Sequence, residues 1–271
     1  MFKDKEKYIS HINDSTQILN MRKIIDKIEI VYNTHQVQCT NFLNPYECKL
    51  AKSILNRFNQ ICYIEDGGFI NAERKIIILF PDYYYFDLKE SPITPLAIDG
   101  NLDGLKHSDF LGAILNLGII REKVGDILIH EDSVHVITDN DVSDFISMNL
   151  NKVGNKKIIV KHINREDIRE GKVDFKEVSS TLTSLRLDNI ISKAYNISRN
   201  DSINIIKNRG VKVNWEPIEK PHFLINEGDL ISVRGYGRFI LKSILYKTRK
   251  DKLEKSYKWS EGNAYTIRYT K

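Results

Sequence analysis

The sequence predicts an α+β protein built from several modest domains, and three observations carry that reading. At 271 residues the chain is long for one small core and comfortable for two or three. Apolar residues at helical spacing alternate along it with short β-branched runs bounded by turn residues. Two prolines in Ser91-Pro92-Ile93-Thr94-Pro95, and later the charged stretch from Asn164 to Lys176, fall where connectors are expected. A composition of 41% hydrophobic and 28% charged residues, with 14 Gly and 6 Pro, excludes collagen-like, low-complexity and wholly disordered classes. No window approaches the roughly 18 to 20 consecutive apolar residues of a membrane span. The opening MFKDKEKYISHIND is too charged for a signal peptide, so a cytoplasmic protein without a membrane partner is expected. Cys39, Cys48 and Cys62 are an odd set without a CxxC pair, which predicts buried free thiols rather than disulfides or a zinc knuckle.

The first domain, residues 1–88, reads as helix, helix, then strands. Ile18, Leu19, Ile24, Ile25 and Ile28 recur at roughly helical intervals. In Asn44-Pro45-Tyr46-Glu47 the Asn can accept from free amides, Pro suits the first helical position and Glu stands at the third, so a helix opens there and runs to about Phe58. Ile61 to Ile64 and Lys75 to Phe80 read as strands around an Asp66-Gly67-Gly68 turn. Tyr83-Tyr84-Tyr85-Phe86 has aromatic surface for stacking bases but lacks the Gly-aromatic motif of RNA-recognition sheets, and is expected to pack an edge strand.

The second domain covers residues 89–165. Ser108 can cap a helix in which Phe110, Leu111, Ile114 and Leu115 share a face, and Gly118 can end it in the left-handed conformation. Ile127 to His130 and Val134 to Ile137 flank a Glu-Asp-Ser turn, followed by a helix over Asp141 to Leu150 and an extended Lys157 to His162. Residues 166–180 read as a linker, and residues 181–271 as a third domain with a basic C-terminal extension.

The net charge of +5 hides an asymmetry. Residues 180–271 hold 18 Lys+Arg against 9 Asp+Glu, a net of +9, whereas residues 1–179 hold 23 against 27, a net of −4. Such a block suits a polyanion, because released counterions drive association; a solvated lysine-rich surface has the same charge.

Several motifs look chemical and fail on inspection. Asp99-Gly-Asn101-Leu-Asp103-Gly104 matches the first half of an EF-hand loop, but Phe110 stands where the bidentate Glu is needed. His130 and His135 are five apart in an apparent hairpin, not four apart on a helix. Gly235-Tyr-Gly237 lacks the third glycine and following helix of a dinucleotide site. Walker loop, nucleophile elbow and paired carboxylates are missing too, so no catalysis, metal or cofactor is expected.

The strongest local signal runs from residue 185 to 238. Leu187, Ile190, Ile191, Ala194 and Tyr195 make an amphipathic stripe, Ser198-Arg199-Asn200-Asp201 forms a capping box, and Gly210 ends the helix so opened. Val211 to Asn214 and Asp229 to Val233 are strand-like. These segments, with Arg186-Leu187-Asp188, Gly210-Val211-Lys212-Val213-Asn214 and Gly228-Asp229-Leu230-Ile231-Ser232-Val233 in order, resemble the S4 RNA-binding domain. The candidate RNA contacts are Arg186, Ser198, Arg199, Asn200, Lys207, Arg209, Lys212, Asn214, Arg234 and Arg238. Asp188, Ser198 and Gly210 are also expected to cap and turn the backbone, leaving the arginines as the contacts proper.

The resemblance extends further. Asn41-Phe-Leu-Asn-Pro45, Gly67-Gly-Phe-Ile-Asn-Ala-Glu73-Arg74-Lys75, the stretch from His107 to Ile127, Val213-Asn-Trp and Val233-Arg-Gly-Tyr-Gly-Arg238 are similar to the bacterial YlmH family over nearly the whole chain. That resemblance implies an RNA-recognition-like N-terminal domain, a second α+β RNA-binding domain and a C-terminal S4 domain. It also implies genes lying near cell-division genes, association with the large ribosomal subunit, and a role related to the S4 factor that assists C-terminal tailing of stalled nascent chains. His107, Asp109, Arg121 and Lys123 match the family's central motif. They either read RNA or support and pack the helix start, and the sequence leaves both open. In the tail, Lys242, Lys247, Arg249, Lys250, Lys252, Lys255, Lys258 and Arg268 interleave Tyr246, Tyr257 and Trp259, which suits phosphate tracking with stacking or a charged closing hairpin.

The expected function is therefore a monomeric, non-enzymatic factor that binds structured RNA, ribosomal or transfer, on a large ribosomal subunit. One alternative is an RNA-modifying enzyme. Arg186-Leu187-Asp188 has the form of the catalytic tripeptide of pseudouridine synthases, although Asn189-Ile-Ile departs from the continuation and no Gly-rich methyltransferase loop is present. The other is a protein-interaction factor in cell division.

Overall fold

The five apolar residues from Ile76 to Phe80 bury both faces of one strand, and the N-terminal half is arranged around them. The computed structural model describes residues 4–12, 14–171, 176–182, 184–247 and 253–260. They fall in two compact units, 1–171 and 172–271. In the first, the order is α1 (Glu6–Ile9), α2 (Ser15–Thr34), β1 (Gln38–Cys39), α3 (Pro45–Leu55), β2 (Ile61–Asp66), β3 (Ile76–Pro81), β4 (Ile93–Gly100), α4 (His107–Leu115), β5 (Val124–Ile129), β6 (Ser133–Asp139), α5 (Asn140–Asn149), β7 (Lys152–Val153) and β8 (Lys156–His162). The strands form two antiparallel sheets, β1-β3-β2 and β5-β6-β4-β8-β7.

Local chemistry explains the helix starts. Asp14 accepts from the Gln17 amide at 3.0 Å to open α2. Asn44 accepts from Glu47 N while Glu47 accepts from Asn44 N, the reciprocal box expected for α3. The start of α4 differs from expectation: the helix begins at His107, and Asp109 accepts from the Lys106 amide at 2.8 Å, so the acid three residues on does the work assigned to Ser108.

Side chains alternate across β3. Ile77 and Leu79 join Met21, Ile25, Ile28, Ala51 and Ile54 beneath the helices, while Ile76, Ile78 and Phe80 join Phe42, Ile93 and Ile137 from the other direction. The segments expected as domains over 1–88 and 89–165 share this second cluster of core residues, while the second keeps a core of its own around Leu96, Phe110, Ile114, Val136 and Ile146, and this face of β3 is covered rather than open to bases. Polar anchors reinforce the junction. Asp126 accepts from the amides of Glu73 (2.6 Å) and Arg74 (3.2 Å), and Arg74 donates onward to the Val124 and Phe42 carbonyls. A Cβ on Gly125 would lie 2.8 Å from the Phe42 ring, so only glycine fits there.

Three further expectations change. The stretch 166–180 is not a free linker. Within it Arg169 pairs with Asp132 and Glu170 accepts from Asn71; at its edge Arg165 pairs with Asp66. Lys176–Leu182 forms β9 of the second unit. Such partners lie tens of residues away, where a charge-run reading cannot see them. Tyr83, Tyr84 and Tyr85 lie exposed in the loop after β3 rather than on an edge strand, with Phe86 stacked on Phe80. Of the cysteines only Cys48 is buried; Cys62 is exposed because β2 is an edge strand.

The second unit continues with α6 (Leu187–Ala194), α7 (Arg199–Lys207), β10 (Val211–Val213), β11 (Glu216–Pro217), β12 (Leu230–Val233), β13 (Gly237–Lys247) and β14 (Leu253–Ser260), in one antiparallel sheet ordered β11-β10-β12-β13-β14-β9. Leu187, Ile190, Ile191 and Ile206 pack the helices on Val211, Val213, Ile231, Val233 and Phe239. Of the basic tail, Lys242, Lys247, Lys255 and Lys258 fall on the β13–β14 hairpin with Tyr246, Tyr257 and Trp259, while Arg249, Lys250, Lys252 and Arg268 lie outside the described residues.

Because β3 serves two cores, Ile78→Ala should cost about 2–4 kcal/mol and weaken both sheets of residues 1–171 together. Hydrogen exchange that released the amides of β2 and β3 while leaving β4, β6 and β8 unchanged would contradict the shared core.

Candidate nucleic-acid interface

The S4-like helix pair is assembled around a carboxylate. Leu187 and Asp188 donate their amides to the Phe223 and Pro221 carbonyls, which fixes the first turn of α6. The stripe that continues along α6 ends at Asn196, left-handed at φ 52°, with the Ile197 amide bonded to the Ser192 carbonyl. Ser198 then caps α7 by accepting from the Asp201 amide at 3.1 Å, and Ser202 Oγ donates to the Asp188 carbonyl at 2.8 Å.

The Asp188 side chain has no exposure to water, and two guanidiniums reach it. Arg186 donates through Nε and Nη2, both at 3.1 Å, and Arg199 through Nε at 2.9 Å. Burial opposes ionisation of Asp188, but the bonds from Arg186 and Arg199 outweigh it and hold the carboxyl below its ordinary value. The arginine side chains remain 40% and 56% exposed. Arg199 is anchored through Nε and stays over half exposed, an arrangement that can present a guanidinium to an outside anion such as a phosphate. Asn200 is exposed in the same turn.

The other candidates fall into two further places. Lys207 is exposed in the last turn of α7. Arg209 follows it at φ 55° and closes a Schellman turn: its amide bonds to the Ile206 carbonyl and the Gly210 amide to the Ile205 carbonyl. The left-handed residue ending α7 is thus Arg209, with Gly210 one place later. Arg209 Nε also pairs with Glu219 at 2.6 Å, and the Arg234 amide donates to the Gly210 carbonyl. On the sheet, Lys212 is opposite Ser232 and Ser232 opposite Arg238, so Lys212 and Arg238 share the face away from the helices. Arg238 lies over the Trp215 ring, 6.0 Å from its centroid. Asn214 is structural: its amide nitrogen donates to Asp229 and its oxygen accepts from Leu230 N.

In the central motif His107 alone is buried, and the other three side chains bond within the chain. His107 is buried, Asp109 holds the Lys106 amide, Arg121 Nη1 donates to the Val124 and Gly125 carbonyls, and Lys123 bonds to Asp139 (2.7 Å) and Asp141 (2.8 Å). The motifs rejected as metal sites have ordinary partners. Asp99 and Asn101 accept from Lys161 and Lys156, and His135 Nδ1 accepts from the Arg169 amide. Burial, with the charges of His130 and Arg169, pushes the His135 imidazole down to about 4.

Three family models match this chain: "YlmH, N-terminal" over residues 16–84, "Putative RNA-binding domain in YlmH" over 98–167 and "S4 domain" over 185–231. Ribosome-associated protein quality control protein P2 of Bacillus subtilis (strain 168) is 33% identical over 234 residues, 82% of this chain and 87% of that protein. The chain belongs to the YlmH family. A solved structure described as cell division protein ylmH from Streptococcus pneumoniae shares the fold with a TM-score of 0.52 at 21% identity, over 58% of this chain and 97% of that one. Within this YlmH-family chain, the sequence reading named the arginines and left out two residues beside them, Asp188 and Trp215. Asp188 was read as a cap, although its place two residues after Arg186 and on the buried side of α6 was a usable signal. Trp215 stands where a two-residue hairpin favours glycine.

A depressed Asp188 contributes stability that is fully present above its unfolded value of about 3.9 and is lost as pH falls through its folded value. Asp188→Asn should therefore be less stable than the parent at pH 5–7, with the gap closing below about pH 4. Urea unfolding across that range checks it; a pH-independent gap would mean the carboxylate charge is not what matters.

Proposed function

We propose that this chain is a monomeric, non-enzymatic RNA-binding factor that docks on ribosomal RNA of a large subunit still carrying peptidyl-tRNA, in ribosome quality control. The observation that carries the reading is the arginine pair clamped on Asp188 at the head of an S4 helix hairpin, within a block of net charge +9. Fixed guanidiniums suit phosphate because the ordering entropy of two long side chains is spent during folding, not on binding. The name of the Bacillus subtilis relative supports the ribosomal setting. Asp188 also bears on the enzyme alternative: a catalytic Asp in that tripeptide must reach a base, whereas this one is wholly buried beneath two arginines.

Arg186, Arg199, Lys207, Arg209, Lys212, Arg234 and Arg238 are the proposed contacts, with Ser198, Asn214 and Asp109 holding the frame. His107 belongs to that frame through burial, and Arg121 and Lys123 through their bonds within the chain. In lysate gradients the protein should travel with large subunits. On a purified ribosomal RNA fragment, log Kd against log salt should have a slope of magnitude roughly 3 to 5, for about four to six phosphates. Arg199→Ala should weaken binding roughly tenfold and lower that magnitude by about 1. Protein that stays at the top of the gradient and binds no structured RNA at low salt would overturn the reading, and nucleoside modification in the incubated RNA would overturn its non-enzymatic part.

A further inference from the structure

The hairpin joining β10 to β11 carries an indole in an unfavourable place. Val213 faces Glu216, so the loop is two residues, Asn214 and Trp215, at φ 49° and 67°. Two-residue hairpins with both central residues left-handed favour Asn-Gly, because a Cβ is disfavoured there, and a bulky side chain in that region is an outlier. The conformation is enforced by Asn214, whose bonds to Asp229 and Leu230 N tie the loop to the neighbouring strand. Trp215 is half-buried and lies outside the apolar cluster of its unit. Its ring neighbours the guanidinium of Arg238, and Lys212 shares the same sheet face.

A bulky aromatic held against its backbone preference, away from the core, beside one guanidinium and near a sheet face that carries a second cation, has the components of a nucleobase platform. We propose that Trp215 stacks on an unpaired base of the bound RNA while Arg238 and Lys212 take flanking phosphates. This rests on the RNA-binding reading above and adds to it a single-stranded or looped element of the target.

The test compares parent, Trp215→Gly, Trp215→Phe and Arg199→Ala on two fluorescein-labelled probes, an RNA hairpin with an unpaired loop and its stem as a blunt duplex. Trp215→Gly removes the strained Cβ, so its Tm should hold or rise, while loop binding weakens about 5- to 50-fold. Duplex binding should not change, and Trp215→Phe should retain most of the loop affinity. Loop RNA should also quench parental tryptophan emission by an amount missing from Trp215→Gly. If Trp215→Gly bound the loop as the parent does while Arg199→Ala bound it poorly, the platform would be refuted and the RNA-binding reading would stand. A lowered Tm with equal losses on both probes would make the indole a packing residue and refute it as well. Parent protein that bound neither probe would remove both readings.

Discussion

The helix pair of the C-terminal unit depends on keeping one carboxylate ionised out of water. Asp188 has no exposure, and burying an unpaired carboxylate costs several kcal/mol. A guanidinium about 4 Å away returns on the order of 4 kcal/mol at an effective dielectric near 20, before discounting for the partial exposure of both arginines. One arginine therefore roughly offsets the burial, and the second tips the balance, in keeping with the lowered proton affinity of Asp188. Because Arg186 precedes α6 and Arg199 opens α7, that balance is met only when the two helices take up their mutual angle. The Ser202 hydroxyl on the Asp188 carbonyl holds the same joint. Helix pairing and arginine presentation are thus one event, and a contact surface built this way is set before any RNA arrives.

The N-terminal unit follows a different constraint. A strand apolar on both faces must be covered twice, and β3 is covered by α2 and α3 on one side and by Phe42, Ile93 and Ile137 on the other. That requirement draws the second sheet onto the first and leaves Gly125 no room for a side chain beneath Phe42. It also accounts for the bonds made by two residues of the central motif. Arg121 and Lys123 lie at the entry to β5, where carbonyls and the carboxylates of Asp139 and Asp141 need donors more than the surface needs charge.

Local rules made much of this legible. The capping signals at Asn44 and Ser198, the stripe Leu187, Ile190, Ile191 and the run Ile76 to Phe80 each state a conformation within a few residues, and each is found there. The family resemblance supplied the S4 fold and directed attention to the arginines. What stayed hidden depends on partners far along the chain: Arg165 on Asp66, Arg169 on Asp132, and the second covering of β3. A charge run and a solvated face read alike until those partners are placed. Asp188 was hidden for a related reason, since an acidic residue in a first helical turn is ordinarily explained by the helix dipole alone.

The left-handed residues carry the argument one step further. Among the described residues five non-glycines have positive φ, and three of them, Arg209, Asn214 and Trp215, lie within seven positions around β10. Asn is at home in that region, but Arg and Trp each forgo roughly 1–2 kcal/mol that glycine would keep. The Arg209–Glu219 pair does not restore this, because it is largely exposed and such pairs contribute about 0–1 kcal/mol. Backbone preference thus does not explain why a guanidinium and an indole occupy these two turns. Their common property is position: one ends the helix that Arg199 begins, and the other borders the sheet face carrying Lys212 and Arg238. Two locally unfavourable residues thus stand at the rim of the basic face, where the proposed RNA contacts would give each a use that the turn itself does not require.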